Sequence, residues 1–320
     1  MSYFVGVDVG GTKILMALLD QQGNFLLEKR FLTRPERKPA EIIEEISLEI
    51  ERMLQEFAVH SNSLTGVGLC IAGFYDWPAG IMKSSPNLPG WEMFPVQQEI
   101  TKLLDCPVLV ENDASAAAYG EYLFGAGQGV KDLVHLTLGT GIGAGLVLDG
   151  KLFRGSKGFA GELGHIPLLP GGPQCGCGRT GCFETLASGR ALAREGNKIL
   201  AEGQSTFLKT LVPNNNSVTA SHIFIAAKQG DPAATEIIKN AAFYLGQGLS
   251  LVVNLLNPSR ITLGGGLFKE DYLFFLEEAE QQMRQAAVTV SSEAVELARA
   301  QFIDEAGILG IFALLKEKYL

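Results

Sequence analysis

One short plan occurs twice in this chain, 129 residues apart. Asp8 precedes Gly10-Gly11-Thr12, and Asp20 opens a turn twelve residues later. Thr137 precedes Gly139-Thr140-Gly141, and Asp149 opens a turn twelve residues later. Each glycine cluster lies between apolar runs of strand length, YFVGVDV and ILMALLD in the first copy, LVHLTL and IGAGLVL in the second. A repeated strand–turn–strand unit predicts two α/β lobes, each presenting a glycine turn to a shared cleft. Backbone amides in such turns approach phosphate oxygens with no side chain in the way. Neither turn ends in Gly-Lys-Ser/Thr, so neither is a Walker loop. Each leads into a strand rather than a helix, which argues against a dinucleotide fingerprint.

The rest of the chain reads as alternating strands and helices. Residues 25–33 continue the first hairpin as a third strand, after a turn at 20–24. Residues 39–58 form an amphipathic helix whose Ile42, Ile46, Ile50, Met53 and Phe57 recur every three or four positions. Strands follow at 66–73 and 107–113, and a helix starts after Asp113, with Asp113 at or near its N-cap. Asp149-Gly150 is a type I′ hairpin signal. A polar break at 213–217 precedes a long apolar helix at 232–257, and a strand at 259–267 runs into Gly264-Gly265-Gly266. The C-terminus closes as a helix.

Of 320 residues, 47% are apolar and 19% charged, enough for a large core and too few charges for an extended disordered tail. A net charge of −9 makes a general nucleic-acid binder a poor fit. The N-terminus has no basic region before its first strand, and the apolar runs fall short of a membrane span. The expectation is therefore a soluble cytoplasmic protein. Of five cysteines, three crowd into CGCGRTGC at 175–182. In a reducing compartment such clustering points to metal rather than disulfides. Cys70 and Cys106 adjoin strand-like runs and read as core residues.

Four groups of residues carry chemistry. In the first turn, Asp8 suits Mg²⁺, a hard cation that takes carboxylate, water and phosphate oxygens, while Gly10, Gly11, Thr12 and Lys13 offer donors to phosphate. Gly139, Thr140 and Gly141 form the second turn, and Gly264, Gly265 and Gly266 a third close-approach site against which an adenosine moiety fits. In Glu111-Asn112-Asp113, Asn112 is placed to hold one sugar hydroxyl while Asp113 accepts the proton of another; Asp113 as a plain helix cap is the competing reading. His165, Cys175, Cys177 and Cys182, in the pattern H-x₉-C-x-C-x₄-C, complete a tetrahedral Zn²⁺ site with no open position, which is a structural site. Glu162 and Glu184 flank that loop, and two carboxylates on a rigid loop suit a polyhydroxy ligand. His60, His135 and His222 lack any partner pattern and read as surface or core residues.

DVGGTK, END at 111–113, LGTGIGAG, GELGH, CGCGRTGC followed by Glu184, and LGGG at 263–266 together resemble the ROK family (repressors, open reading frames and sugar kinases), over essentially the whole chain. The resemblance implies an actin/hexokinase-like (ribonuclease H-like) α/β fold of two lobes with the active site in the interlobe cleft. Residues 1–118 plus 301–320 would form the smaller lobe and 119–300 the larger, zinc-bearing one. It implies transfer of the γ-phosphate of MgATP to a hexose, at O6, with Asp113 as base. Sugar contacts would fall on Asn87 in the SPNLPGW loop, Asn112, Asp113, Glu162, His165 and Glu184, with His165 binding zinc through one ring nitrogen and sugar through the other. A homodimer is the common family assembly. SPNLPGW, END and CFETLAS look most like the glucokinase branch; an N-acetylglucosamine or N-acetylmannosamine kinase shares the zinc motif and stays open. A sugar-sensing regulator is the reading of another class. It would carry a helix-turn-helix ahead of the first turn, and here the first strand begins by residue 3.

Overall fold

The computed structural model describes residues 2–204, 206–212, 217–268 and 273–320. Positions 213–216 of the predicted polar break lie outside them. The elements run β1 (Tyr3–Val9), β2 (Lys13–Leu19), β3 (Phe25–Leu32), α1 (Pro39–Glu56), β4 (Leu64–Ile71), β5 (Phe74–Asp76), β6 (Ile81–Ser84), α2 (Val96–Leu103), β7 (Val108–Asn112) and α3 (Asp113–Phe124). They continue with β8 (Leu133–Leu138), β9 (Ile142–Leu148), β10 (Lys151–Leu152), α4 (Glu184–Ala187), α5 (Gly189–Ala201), α6 (Thr206–Leu211), α7 (Ala220–Lys228) and α8 (Pro232–Leu256). The last are β11 (Arg260–Gly264), α9 (Leu273–Ala286), α10 (Thr289–Ala294), β12 (Glu296–Arg299) and α11 (Ala306–Tyr319). The chain divides into two compact units, Met1–Gly129 with Gly145–Gly161 and Asp304–Leu320, and Val130–Ala144 with Glu162–Ile303. The first unit thus keeps all of α3 rather than ending at 118, because α3 packs along α11.

In the first unit the sheet order is β3-β2-β1-β4-β7. The hairpin strands are antiparallel, while β1, β4 and β7 run parallel in register, so that Asp8 stands level with Cys70, Cys70 with Glu111, and Ile71 with Asn112. The carboxyl ends of β1 and β7, on either side of β4, therefore deliver Asp8, Asn112 and Asp113 to one end of the sheet, where open α/β sheets place ligands. Helix α1 covers one face with Ile42, Ile46, Ile50 and Met53, all buried. Phe57 does not continue the stripe as predicted: the helix ends at Glu56, and Phe57 is 39% exposed, edge-on to Tyr3.

Small residues let α11 onto this unit. Cβ atoms on Gly6 and Gly68 would collide with Ile308 and Ile311 of α11. Where α11 crosses α3, a Cβ on Gly310 would run into the carbonyl oxygen of Ala116, and one on Gly120 into that of Ala306. Gly310→Ala is expected to lower stability by about 1–3 kcal/mol through overpacking of this crossing, seen as a fall of several degrees in thermal denaturation. An unchanged melting curve would show that the helices can separate without cost.

The second sheet has the order β10-β9-β8-β11-β12, with β8, β11 and β12 parallel. From Gly145 onward β9 counts with the first unit, where Gly145 lies against Ala114 and Ser115. Asp149 and Gly150 both take left-handed backbone (φ 49° and 76°), as a type I′ turn requires. In the second unit α8 is capped by Asp231, whose carboxylate accepts from the Ala234 amide at 3.0 Å, and ends at left-handed Asn257. Its Gly248 leaves room for the buried ring of Phe183, which anchors the end of the cysteine loop.

Candidate active site and metal centre

The first glycine turn is closed by the Gly10 amide donating to the Lys13 carbonyl at 3.1 Å. Thr33, fully buried, clamps it from outside: its hydroxyl donates to the Gly10 carbonyl at 2.6 Å and its amide to the Thr12 carbonyl at 3.0 Å. The sequence predicts Thr33 only as the end of a strand. Gly11 is glycine for a packing reason, since a Cβ there would meet the backbone oxygen of Asn87 at 2.7 Å. The Asn87 loop is held in turn by Ser85, whose hydroxyl donates to the Ala72 carbonyl at 2.7 Å. Lys13 pairs with Asp304 at 3.3 Å, a carboxylate the motifs do not reveal, and Arg30 reaches the same group at 3.5 Å.

Asp113 is not the cap of α3. That role belongs to Asn112, whose Oδ1 accepts from the Ser115 amide at 3.0 Å. The Asn112 Nδ2 donates to the Gly73 carbonyl and to Asp113 Oδ1, each at 3.1 Å. Both donors of the amide are therefore spent on holding the strand end and aiming Asp113, leaving one lone pair of Oδ1 for a ligand. Asp113 stands half-buried at the first helical position, relieved of capping. Burial pushes its carboxyl above the ordinary carboxylate range, while backbone amides of Ala114 and Asp113 and the Asn112 side chain pull it back. Asp8 is pushed up to about 7, first by burial and then by the charge of Asp113, with Lys13 opposing. A buried carboxylate at a glycine turn whose proton affinity is raised by burial and by the charge of Asp113 favours a cation beside it.

In the second unit the Gly139 amide donates to the Gly141 carbonyl at 3.0 Å. The turn is braced by the start of α5, through Gly189 to the Gly139 carbonyl at 2.8 Å and Arg190 to the Thr140 carbonyl at 3.3 Å. Gly265 takes φ 91° and lies so close to the Leu138 backbone that a Cβ would meet the Leu138 amide at 2.8 Å. Behind Gly264 sits buried His135, its Nδ1 2.9 Å from the Thr262 hydroxyl and its Nε2 3.2 Å from that of Thr137. Burial lowers His135 to about 4. Its folded value lies below the unfolded one, so its neutral form stabilises the fold fully above about pH 6.5, and that contribution is lost as pH falls toward 4. At pH 5 the loss is about 2 kcal/mol, so thermal melts of wild type and His135→Asn are expected to converge between pH 7 and 5. Parallel curves would contradict this.

The cysteine loop brings its four predicted ligands together. The donor atoms of His165, Cys175, Cys177 and Cys182 all lie within 4.8 Å of one another. A tetrahedral zinc with Zn–S near 2.3 Å and Zn–N near 2.0 Å sets S···S about 3.8 Å and S···N about 3.5 Å apart. Cys177 and Cys182 sulfurs are 3.7 Å apart, and Cys175 sulfur is 3.5 Å from His165 Nδ1. The donor set and its spacing fit zinc, with Nδ1 as the ligand nitrogen. His165 Nε2 then faces Glu162 at 3.9 Å, while Glu184 lies 3.7 Å from Nδ1 and its Oε1 accepts from the Cys175 thiol at 3.0 Å. Left-handed Gly178 and Gly181 let the loop fold back on Cys175 and Leu169. Cys70 is buried as expected, whereas Cys106 is only half-buried at the edge of the core. No helix among the described residues is long and apolar enough to cross a membrane.

A match to the ROK family spans residues 4–318. The chain belongs to the ROK family. A glucokinase of Halalkalibacterium halodurans is 34% identical over 317 residues, covering 99% of this chain and 96% of that protein. A ROK family glucokinase from Streptomyces griseus, solved in complex with glucose and AMPPNP, superposes with a TM-score of 0.84 at 34% identity, over 99% of this chain and all of that one. The xylose repressor of Bacillus subtilis is 29% identical over 320 residues, covering 99% of this chain and 78% of the repressor. The fold of this ROK protein is the actin/hexokinase-like α/β fold.

Proposed function

We propose that this ROK protein is an ATP-dependent glucose kinase that transfers the γ-phosphate of ATP to the O6 hydroxyl of glucose. The observation that carries the reading is Asp113: a half-buried carboxylate of raised proton affinity, freed from capping and aimed by Asn112. A sugar hydroxyl has a high pKa, so a base of raised affinity placed at its proton contributes about 10²–10⁴-fold. As the hydroxyl oxygen bonds to γ-phosphorus and the bond to the leaving ADP oxygen breaks, Asp113 takes the hydroxyl proton and later releases it to water. Asn112 accepts from a neighbouring hydroxyl through its remaining lone pair, and Asn87 adds a donor. Glu162, His165 Nε2 and Glu184 are the second unit's sugar contacts in this proposal. Gly10, Gly11, Thr12, Lys13, Gly139, Thr140 and Gly141 hold phosphates, and Gly264, Gly265 and Gly266 take the adenosine. Asp8 would hold Mg²⁺, which neutralises phosphate charge when bound. His165, Cys175, Cys177 and Cys182 would hold a structural zinc. Need for ATP places the enzyme in the cytoplasm, and a homodimer belongs to the same proposal. Glucokinase relatives of near full-length coverage support it.

The test is ADP release from MgATP with glucose, N-acetylglucosamine, N-acetylmannosamine, mannose and fructose in parallel. Glucose is expected to lead in kcat/KM by about tenfold or more. An acetylated sugar in the lead replaces the substrate and keeps the chemistry. No sugar-stimulated turnover in zinc-replete protein overturns the kinase reading and turns attention to the repressor relatives.

A further inference from the structure

Glu111 precedes the Asn112–Asp113 pair in β7 and is 1% exposed. Burial raises its proton affinity, and Arg154 opposes this. A buried carboxylate with no partner is costly to keep charged. Here both oxygens are committed. Oε1 accepts from the Asn112 amide at 2.9 Å, and Oε2 accepts from Arg154 Nε at 2.6 Å. Hydrogen bonds therefore run without a break from Arg154 through Glu111 to the Asn112 backbone, and from the Asn112 side chain to Asp113.

Arg154 is itself fixed on its other sides. Its guanidinium carbon stands 4.8 Å above the Trp77 ring. Its carbonyl oxygen accepts from the amides of Gly158 at 3.1 Å and Ala160 at 3.2 Å, so residues 154–160 fold around it. The Trp77 amide donates to the Lys157 carbonyl at 3.0 Å, closing that loop onto the indole. Gly158, at φ 96°, permits the approach, since a Cβ would meet the Tyr75 carbonyl at 2.7 Å. An arginine suits the place because a planar guanidinium can stack on an indole while its Nε–H points sideways at one oxygen; a lysine ammonium cannot hold both relations.

We propose that Arg154 is a positioning residue for phosphoryl transfer: through Glu111 it sets the orientation of Asn112 and Asp113 without touching substrate. This rests on the glucose kinase reading. Its loss acts on the sugar and the base and spares the glycine turns, so it separates kcat and glucose KM from ATP KM.

The test compares wild type, Arg154→Lys and Arg154→Ala by steady-state kinetics and thermal melting. Arg154→Lys keeps the charge beside Glu111 and is expected to stay folded, with kcat lowered about 10–100-fold, glucose KM raised, and ATP KM within about twofold of wild type. Millimolar guanidinium is expected to restore part of the kcat of Arg154→Ala; where that variant does not fold, Arg154→Lys decides alone. Wild-type kcat and glucose KM in Arg154→Lys overturn the inference, as does a loss of kcat matched by the unfolded fraction with both KM values unchanged. Wild-type protein that phosphorylates no sugar overturns the kinase reading and this inference with it. An active wild type beside an equally active Arg154→Lys overturns the inference alone.

Discussion

Asp113→Asn is expected to lower kcat by about 10²–10⁴-fold while glucose binds within about threefold of wild type. Asparagine has the size of aspartate and keeps a hydrogen-bonding oxygen, so the sugar's place is preserved and only the proton acceptor is lost. The usual objection to such a test is that an aspartate at a helix start holds the helix together. Here the cap is Asn112, through its 3.0 Å bond from the Ser115 amide, so the two roles fall on neighbouring residues. Asn112→Ala is expected to cost about 1 kcal/mol of stability as a lost cap, whereas Asp113→Asn removes a half-buried charge that faces Asp8 and is expected to leave the melting temperature unchanged or raised. ADP release gives kcat, and titration calorimetry without nucleotide gives the glucose affinity. Turnover within tenfold of wild type would remove Asp113 from the role of base, and the chemistry would then rest on positioning alone.

The repeat of strand, glycine turn and strand made the two-unit α/β plan readable, because glycine spacing and strand periodicity are local signals. The same locality gave α1, the Asp149-Gly150 turn and the four metal donors, three of which lie within eight residues. What stayed hidden depends on contacts between distant segments. Thr33 clamps a turn more than twenty residues earlier, and Asp304 pairs with Lys13 from the other end of the chain. Nothing near either residue marks it. Glu111 was legible only as part of END; its need for a cation follows from burial, and Arg154 is 43 positions away. Which of Asn112 and Asp113 caps α3 was not legible, because Asn and Asp both cap well, and only the backbone of Asn112 (φ −69°, ψ 142°) decides between them. The stripe on α1 overran by one residue for a similar reason: Phe57 has the right spacing and the helix stops before it.

Purified protein is expected to carry about one zinc per chain, and its removal by chelation to lower the melting temperature by on the order of 10 °C and abolish tight glucose binding together. The first effect follows from the loop's composition. Between Gly171 and Gly181 it holds few apolar side chains, and its order rests on turns such as the Cys175 amide to the Arg179 carbonyl at 2.8 Å, which bury little surface. The second follows from a proton. The Cys175 thiol donates to Glu184 Oε1 at 3.0 Å, which ties the protonation of that sulfur to the carboxylate. A bound zinc would take Cys175 as a thiolate, and Glu184 Oε1 would then be open to accept from a sugar hydroxyl. His165 would hold the metal through Nδ1, leaving Nε2, 3.9 Å from Glu162, as a donor. Cys177→Ser tests the coupling from the protein side: it removes a ligand that touches neither glutamate in the contacts described, yet glucose affinity is expected to fall about tenfold or more with the metal content. A Cys177→Ser protein that has lost its zinc and still binds glucose as wild type does would reduce the metal to a clamp on the loop, with no part in preparing Glu184 and His165 for the sugar.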